Sequence, residues 1–154
     1  MATLVLGLGN ILLRDEGVGV HVARHLLAEL PPTPGLTVLD GGTLGLELLP
    51  YIEAADHLLV LDSARLGKPP GSVSLLRGAE AEAMAQGGAS AHELALPNVL
   101  VLARLRGRSP EEVAIVAVEP AQIETGLDLS PQVAAAVEAA AALAKQVLLE
   151  WKAL

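Results

Sequence analysis

The sequence predicts a single three-layer α/β/α domain, on three observations. Short apolar runs recur at residues 3–6, 58–61 and 113–118, as in buried strands, and residues 36–39 read as a further strand. Helical segments lie between most of them, giving the order βαβαβ-β-αβα, which right-handed crossovers turn into helices on both faces of a parallel sheet. The hydrophobic fraction is 52% while aromatics are 1%, with no Phe, so the core must be Leu, Val and Ala. A chain of 154 residues suffices for one domain with a sizeable core.

The elements follow in order. The first strand, residues 3–6, stops at Gly7, and Gly7 and Gly9 let the backbone turn tightly. Asp15 and Glu16 stand where a helix begins, and Val18, Val22, Leu26, Leu27 and Leu30 give that helix an apolar face. Pro31-Pro32-Thr33-Pro34-Gly35 is a break. The second strand, residues 36–39, ends at Asp40-Gly41-Gly42-Thr43, and a short helical segment covers residues 44–52. The third strand, residues 58–61, ends at Asp62-Ser63. Beyond the turn Lys68-Pro69-Pro70-Gly71, residues 72–77 alternate enough for an antiparallel edge strand. Residues 78–88 fit either a short helix or a mobile loop. Ser90 and Glu93 form a capping box that starts a helix running to about Arg106, with Pro97 able to kink or interrupt it. Residues 113–118 form another buried strand, broken at Glu119-Pro120. Ser130 as N-cap and Pro131 at the first helical position open the last helix, which continues to about Trp151.

Composition excludes several classes. The absence of cysteine rules out disulfides, thiolate ligands and a cysteine nucleophile. A net charge of -8 argues against nucleic acid or an anionic membrane as partner. No apolar run reaches the ~18–20 residues of a spanning helix without a charge or proline. The start, Met1-Ala2-Thr3, lacks a basic region and passes directly into a strand, so a soluble cytoplasmic protein is expected. Gly7 and Gly9 begin a dinucleotide fingerprint, but Leu12 stands where its third glycine belongs. Asp15 and Glu16 would also repel a pyrophosphate; two carboxylates after a glycine turn suit a cation better.

Each of the first three strands ends in an acid: Glu16 with Asp15, then Asp40, then Asp62. In a parallel sheet those ends share one edge, where sites are built. His92 begins the helix leading to the next strand, and its place relative to that edge depends on how residues 78–88 run. Two carboxylates and an imidazole are hard-to-borderline donors that suit zinc, nickel, iron, manganese or cobalt and leave coordination positions open. Every member also has a plain structural explanation. Asp15 fits a helix N-cap, which leaves Glu16 as the better ligand; Asp40 fits a turn, Asp62 a cap and His92 a solvated loop. Their convergence on one edge is the argument for a site. Other candidates are weaker. His21 and His25 have i,i+4 spacing but lie beside the apolar stripe, as on a solvated face. His57 precedes a buried strand and reads as structural. Ser63 and Ser90 lack a nucleophile elbow, and His92-Glu93 lacks a second histidine because Leu96 occupies that place. Gly41-Gly42 reads as a tight turn or as backbone held ready for a substrate.

At these residues the sequence resembles the hydrogenase maturation endopeptidases, which process the large subunit of nickel–iron hydrogenases. The matching segments are Val5-Leu6-Gly7-Leu8-Gly9-Asn10-Ile11-Leu12-Leu13-Arg14-Asp15-Glu16-Gly17-Val18-Gly19, Leu39-Asp40-Gly41-Gly42-Thr43 and Leu61-Asp62-Ser63. Ser90-Ala91-His92-Glu93-Leu94, Val118-Glu119-Pro120, Gly126-Leu127 and Leu129-Ser130-Pro131 follow in the family's order. The resemblance implies a twisted, mostly parallel sheet and a metal-contacting trio of Glu16, Asp62 and His92. It also implies that Asp40 serves activity or substrate recognition. The family removes a C-terminal extension from the large-subunit precursor after nickel insertion, so nickel is expected to arrive with the substrate rather than to reside in the free enzyme. Glu16, Asp62 and Asp40 are the expected catalytic carboxylates, acting through an activated water. Two other classes remain open on the residues alone: a module that binds the nickel-loaded precursor without cutting it, and a metallohydrolase holding its own metal.

Overall fold

The computed structural model describes residues 1–86 and 95–154. Its five strands form one sheet in the order β2-β1-β3-β5-β4. These are β1 (Thr3–Leu8), β2 (Leu36–Gly42), β3 (His57–Ser63), β4 (Val73–Arg77) and β5 (Glu112–Val118). All pairings are parallel except β4 with β5, so β4 is the expected antiparallel edge strand. The helices are α1 (Val18–Glu29), α2 (Leu49–Glu53), α3 (Ala79–Gln86), α4 (Ala95–Leu105) and α5 (Pro131–Glu150). The first part of the ambiguous segment is thus helical, and α4 runs through Pro97 without interruption. The capping box expected at Ser90 and Glu93 lies outside the described residues.

Alternation along the strands divides the core in two. Val5, Leu59 and Val116 face one side, where they meet Val22 and Leu26 of α1 and Ala140, Ala144 and Val147 of α5. Leu4, Leu6, Leu58, Val60 and Ile115 face the other, against Ile52 of α2, Ala81 of α3 and Val99 and Ala103 of α4. Each fully buried leucine or valine contributes roughly 1.5–3 kcal/mol relative to exposure, and the alanines let α5 lie close to the sheet. By length and composition α5 could cross a membrane, but its apolar face is part of this core.

β1, β2 and β3 are all longer than the sequence suggests, and at the ends of β1 and β2 this matters for the site. β1 continues through Gly7 to Leu8, and β2 continues through Asp40 to Gly42, with Gly7 opposite Asp40 and an irregularity before Leu8 and Gly42. Glycine and aspartate are poor strand formers alone, but a neighbouring strand supplies the ladder that propensity lacks. The connection from β1 leads to α1 on one face, and that from β2 returns through α2 on the other. The sheet order therefore reverses between β1 and β3. The crevice beyond their carboxyl ends is the topological switch point, where open α/β sheets bind their ligands.

Candidate active site

The first turn of α1 is seated directly on this crevice. A Cβ on Gly19 would lie 2.1 Å from the Leu61 carbonyl oxygen and 2.5 Å from that of Leu8. No side chain fits there, so glycine is what allows the helix to sit over the ends of β1 and β3. Gly9, with φ +127°, performs the same service for the loop, because its Cβ would meet the Glu16 carbonyl oxygen at 2.0 Å. A 3₁₀ turn, Arg14–Gly17, closes the loop ahead of α1 and carries both Asp15 and Glu16.

The two acids of that turn have different surroundings. Asp15 is fully buried. Its carboxylate accepts hydrogen bonds from the backbone N–H groups of Ala121 (2.9 Å), Gln122 (2.8 Å) and Ser130 (2.8 Å), and from the Ser130 hydroxyl (2.6 Å). It is not the N-cap of α1. That position is Gly17, without a side-chain bond, because the 3₁₀ turn intervenes between Asp15 and the helix. Burial by itself raises the Asp15 pKa, but the Ser130 hydroxyl and the N–H groups of Gln122, Ser130 and Ala121 outweigh it and hold the carboxyl below its ordinary value. Ser130 does occupy the N-cap position of α5, yet its hydroxyl serves Asp15 rather than the helix. Arg14, at φ +52°, extends the same clamp. Its guanidinium donates to the Asp128 carbonyl (3.0 Å), to Glu124 (3.1 Å) and to Gln122, and Leu13 bridges Gly126. The loop after β1 is thereby fastened to the loop after β5.

Glu16 and Asp62 are both buried, at 8% and 4% exposure, at the same edge of the sheet. Asp62 is the penultimate residue of β3, and its Oδ1 accepts from the Ser63 N–H at 2.8 Å. The 3₁₀ turn bearing Glu16 packs against β3. Asp40, level with Gly7 in the neighbouring strand, is more exposed and pairs with Arg24 of α1 at 3.0 Å. The three acids expected at one edge are therefore brought to it. His92 lies outside the described residues, and among the described residues no three potential ligands converge on a metal position. The Gly41 and Gly42 carbonyls are already engaged, by the N–H groups of Leu44 and Gly9.

Two histidines complete the account. His57 lies at the opposite, amino edge, buried against Trp151 with ring centroids 4.8 Å apart, a structural residue as expected. His21 departs from the expected solvated face: it is half-buried, and its Nε2 is buried without a hydrogen-bond partner. Burial first, and then the Arg24 charge, lower its pKa, against an opposing pull from Asp40. Its position in the first turn of α1, over the switch point, is what the helical spacing alone could not show. The sequence also gave no role to Glu119, whose carboxylate accepts from the N–H groups of Leu66 (2.8 Å) and Lys68 (3.2 Å) and shapes the loop after β3. A cavity of about 460 Å³ lined by Arg77, Leu100, Arg104 and Trp151 belongs to the amino edge, away from the carboxylates.

Comparison with known proteins agrees with this architecture. The hydrogenase maturation protease family matches residues 20–147. The chain is 38% identical over 141 residues to the hydrogenase 2 maturation protease of Escherichia coli, covering 91% of this chain and 86% of that one. It is 38% identical over 152 residues to the hydrogenase expression/formation protein HupD of Bradyrhizobium diazoefficiens, covering 96% and 78%. The structure superposes on the hydrogenase maturating endopeptidase HybD from E. coli with a TM-score of 0.90 at 37% identity, over 97% of this chain and 93% of that one. It also matches the nickel–iron hydrogenase maturation protease HybD from Thermococcus kodakarensis, with a TM-score of 0.78 at 27% identity over 96% and 99%. With a family match over most of its residues and endopeptidases among the solved structures it superposes on, the chain belongs to the hydrogenase maturation protease family.

Proposed function

We propose that this endopeptidase removes the C-terminal extension of a nickel–iron hydrogenase large-subunit precursor after nickel insertion, and that the nickel carried by the precursor is its recognition device. The observation that carries the reading is the pair of buried carboxylates, Glu16 and Asp62, delivered by different strands to one crevice. The resemblance adds His92, and two carboxylates with an imidazole are hard-to-borderline donors suited to a divalent nickel ion presented by a substrate. Their contact with the ion sets the scissile peptide bond against the carboxylates. A water molecule then gives its proton to a carboxylate as its oxygen bonds to the carbonyl carbon, and the proton passes to the departing amine as the C–N bond breaks. Asp40, held by Arg24 at the neighbouring strand end, is placed to orient the precursor chain. A cytoplasmic location belongs to the same reading.

The test is the intact mass of a nickel-loaded precursor before and after incubation with the enzyme, with nickel-free precursor and the Asp62→Ala variant alongside. Loss of a C-terminal peptide only from the loaded precursor, and only with the unaltered enzyme, is expected. Cleavage of both precursors would reject nickel as the recognition device. Binding of the loaded precursor without cleavage would favour a non-cutting module.

A further inference from the structure

Among the described residues, five of the nine exposed leucines lie on the loops beyond the carboxyl ends of the parallel strands, the others being Leu27, Leu105, Leu149 and Leu154. Leu12 follows β1, Leu44 and Leu46 follow β2, Leu66 follows β3 and Leu127 follows β5, so every loop beyond a parallel strand's carboxyl end presents at least one. Their exposures run from 40% for Leu66 to 65% for Leu127. Single exposed leucines need no explanation, but a set around one site does.

These loops are also tied to each other. The Gly126 N–H donates to the Leu12 carbonyl at 2.9 Å, which places Leu12 and Leu127 on adjoining loops. The Gly9 N–H donates to Gly42 at 2.9 Å, joining the loops after β1 and β2. The Leu66 N–H donates to Glu119, joining those after β3 and β5. The Asp15 and Arg14 clamp fixes the loops after β1 and β5. The leucines are thus mounted on a cross-braced frame, so burying them on a partner needs little ordering of the backbone.

We infer that Leu12, Leu44, Leu46, Leu66 and Leu127 form an apolar docking rim for the large-subunit precursor, contacting an apolar surface on the precursor beside its scissile segment. The inference rests on the proposed function above, because continuity with the site identifies the occupant. A polypeptide whose peptide bond reaches Glu16 and Asp62 must pass over these loops. The rim supplies affinity that does not depend on the metal, while the carboxylates supply the choice of when to cut.

The experiment measures binding of the cognate nickel-loaded precursor by titration calorimetry and its cleavage by intact mass in the same mixtures. The Leu12→Gln/Leu127→Gln variant is compared with Leu105→Gln/Leu149→Gln, a pair of exposed leucines at the ends of α4 and α5. The rim pair should raise Kd at least about tenfold, and the control pair should leave it within about twofold. Leu44→Gln/Leu46→Gln is a second rim pair should the first lose its fold by circular dichroism. Equal weakening by rim and control pairs, or no weakening by either rim pair, overturns the rim. So does a dimer of the enzyme that the rim variants abolish, which would give the surface to a second copy. Precursor that binds through the rim but stays uncut would refute the cleavage reading while sustaining the rim.

Discussion

Replacing Asp15 with alanine tests whether this acid builds the site or belongs to it. The substitution removes the acceptor for three backbone N–H groups and one hydroxyl. The hydroxyl can turn to another partner and water can reach some of the N–H groups, so the loss is less than the sum of four charge-assisted bonds. At about 1 kcal/mol or slightly more for each stranded N–H, Asp15→Ala should cost about 3–4 kcal/mol, which for a chain of this size lowers Tm by about 6–16 °C. Asp15→Asn keeps the shape and one oxygen but turns an amide NH₂ toward donors, and should cost about 2–3 kcal/mol. Ser130→Ala should cost about 1 kcal/mol, and the double variant should fall short of the sum because the residues are partners. Because the folded-state pKa of Asp15 is depressed, its contribution is fully present above the ordinary value of 3.8 and fades as pH falls through the lower folded-state value. The gap between wild type and Asp15→Asn should therefore be flat near neutrality and narrow only as pH falls from 3.8 toward the lower folded-state value. Urea unfolding monitored by circular dichroism across pH measures both effects. A loss under about 1 kcal/mol in Asp15→Ala, together with abolished processing, would refute the structural assignment and return Asp15 to the site.

Three further outcomes are expected. Gly19→Ala should cost at least about 3 kcal/mol or prevent folding, since its Cβ meets two backbone carbonyls; Gly67→Ala, with nothing within 4 Å of the new carbon but φ +77°, should cost only about 1 kcal/mol of backbone strain. Unfolding midpoints distinguish the two. Arg24→Ala removes a surface-exposed partner of Asp40 and should change stability by less than about 1 kcal/mol, while weakening precursor processing if Asp40 orients the chain, as a rise in KM would show. The His21 imidazole should titrate below its ordinary 6.5, as carbon-13 and proton shifts of the ring would report. Because burial and Arg24 disfavour the charged ring, protonation costs the folded state stability as pH falls from 6.5 through the folded-state value, a dependence His21→Gln should remove.

The fold was largely legible because continuous apolar strands and helical stripes are local patterns. The antiparallel edge strand was legible because residues 72–77 alternate, whereas nothing local marked β2 as the other edge. Strand ends were less so: β1 and β2 extend through glycine and aspartate because neighbouring strands hold them there, which no local window contains. For the same reason the edge-sharing of Glu16, Asp40 and Asp62 followed from topology, whereas the tasks of Asp15, Glu119 and His21 did not. Asp15 is satisfied by residues more than a hundred positions away, and nothing near it in sequence distinguishes that from a helix cap.

Under the proposed function, the adjacent acids of the 3₁₀ turn divide stability and chemistry between them. In such a turn successive side chains point about 120° apart, so a turn that directs Asp15 into the loop after β5 must direct Glu16 elsewhere. The turn packs on β3, and Glu16 is buried at the edge that also holds Asp62. Fixing Asp15 by four hydrogen bonds also holds the turn that carries Glu16, so under the proposed function the clamp would act on the site without touching substrate. It follows that Asp15→Asn at low temperature, where the variant is still folded, should slow processing through misorientation of Glu16, whereas Ser130→Ala, which leaves three N–H donors on the carboxylate, should slow it far less. Single-turnover cleavage rates of the two folded variants measure this. Equal rates in both would separate the clamp from the chemistry and leave Asp15 a purely structural acid.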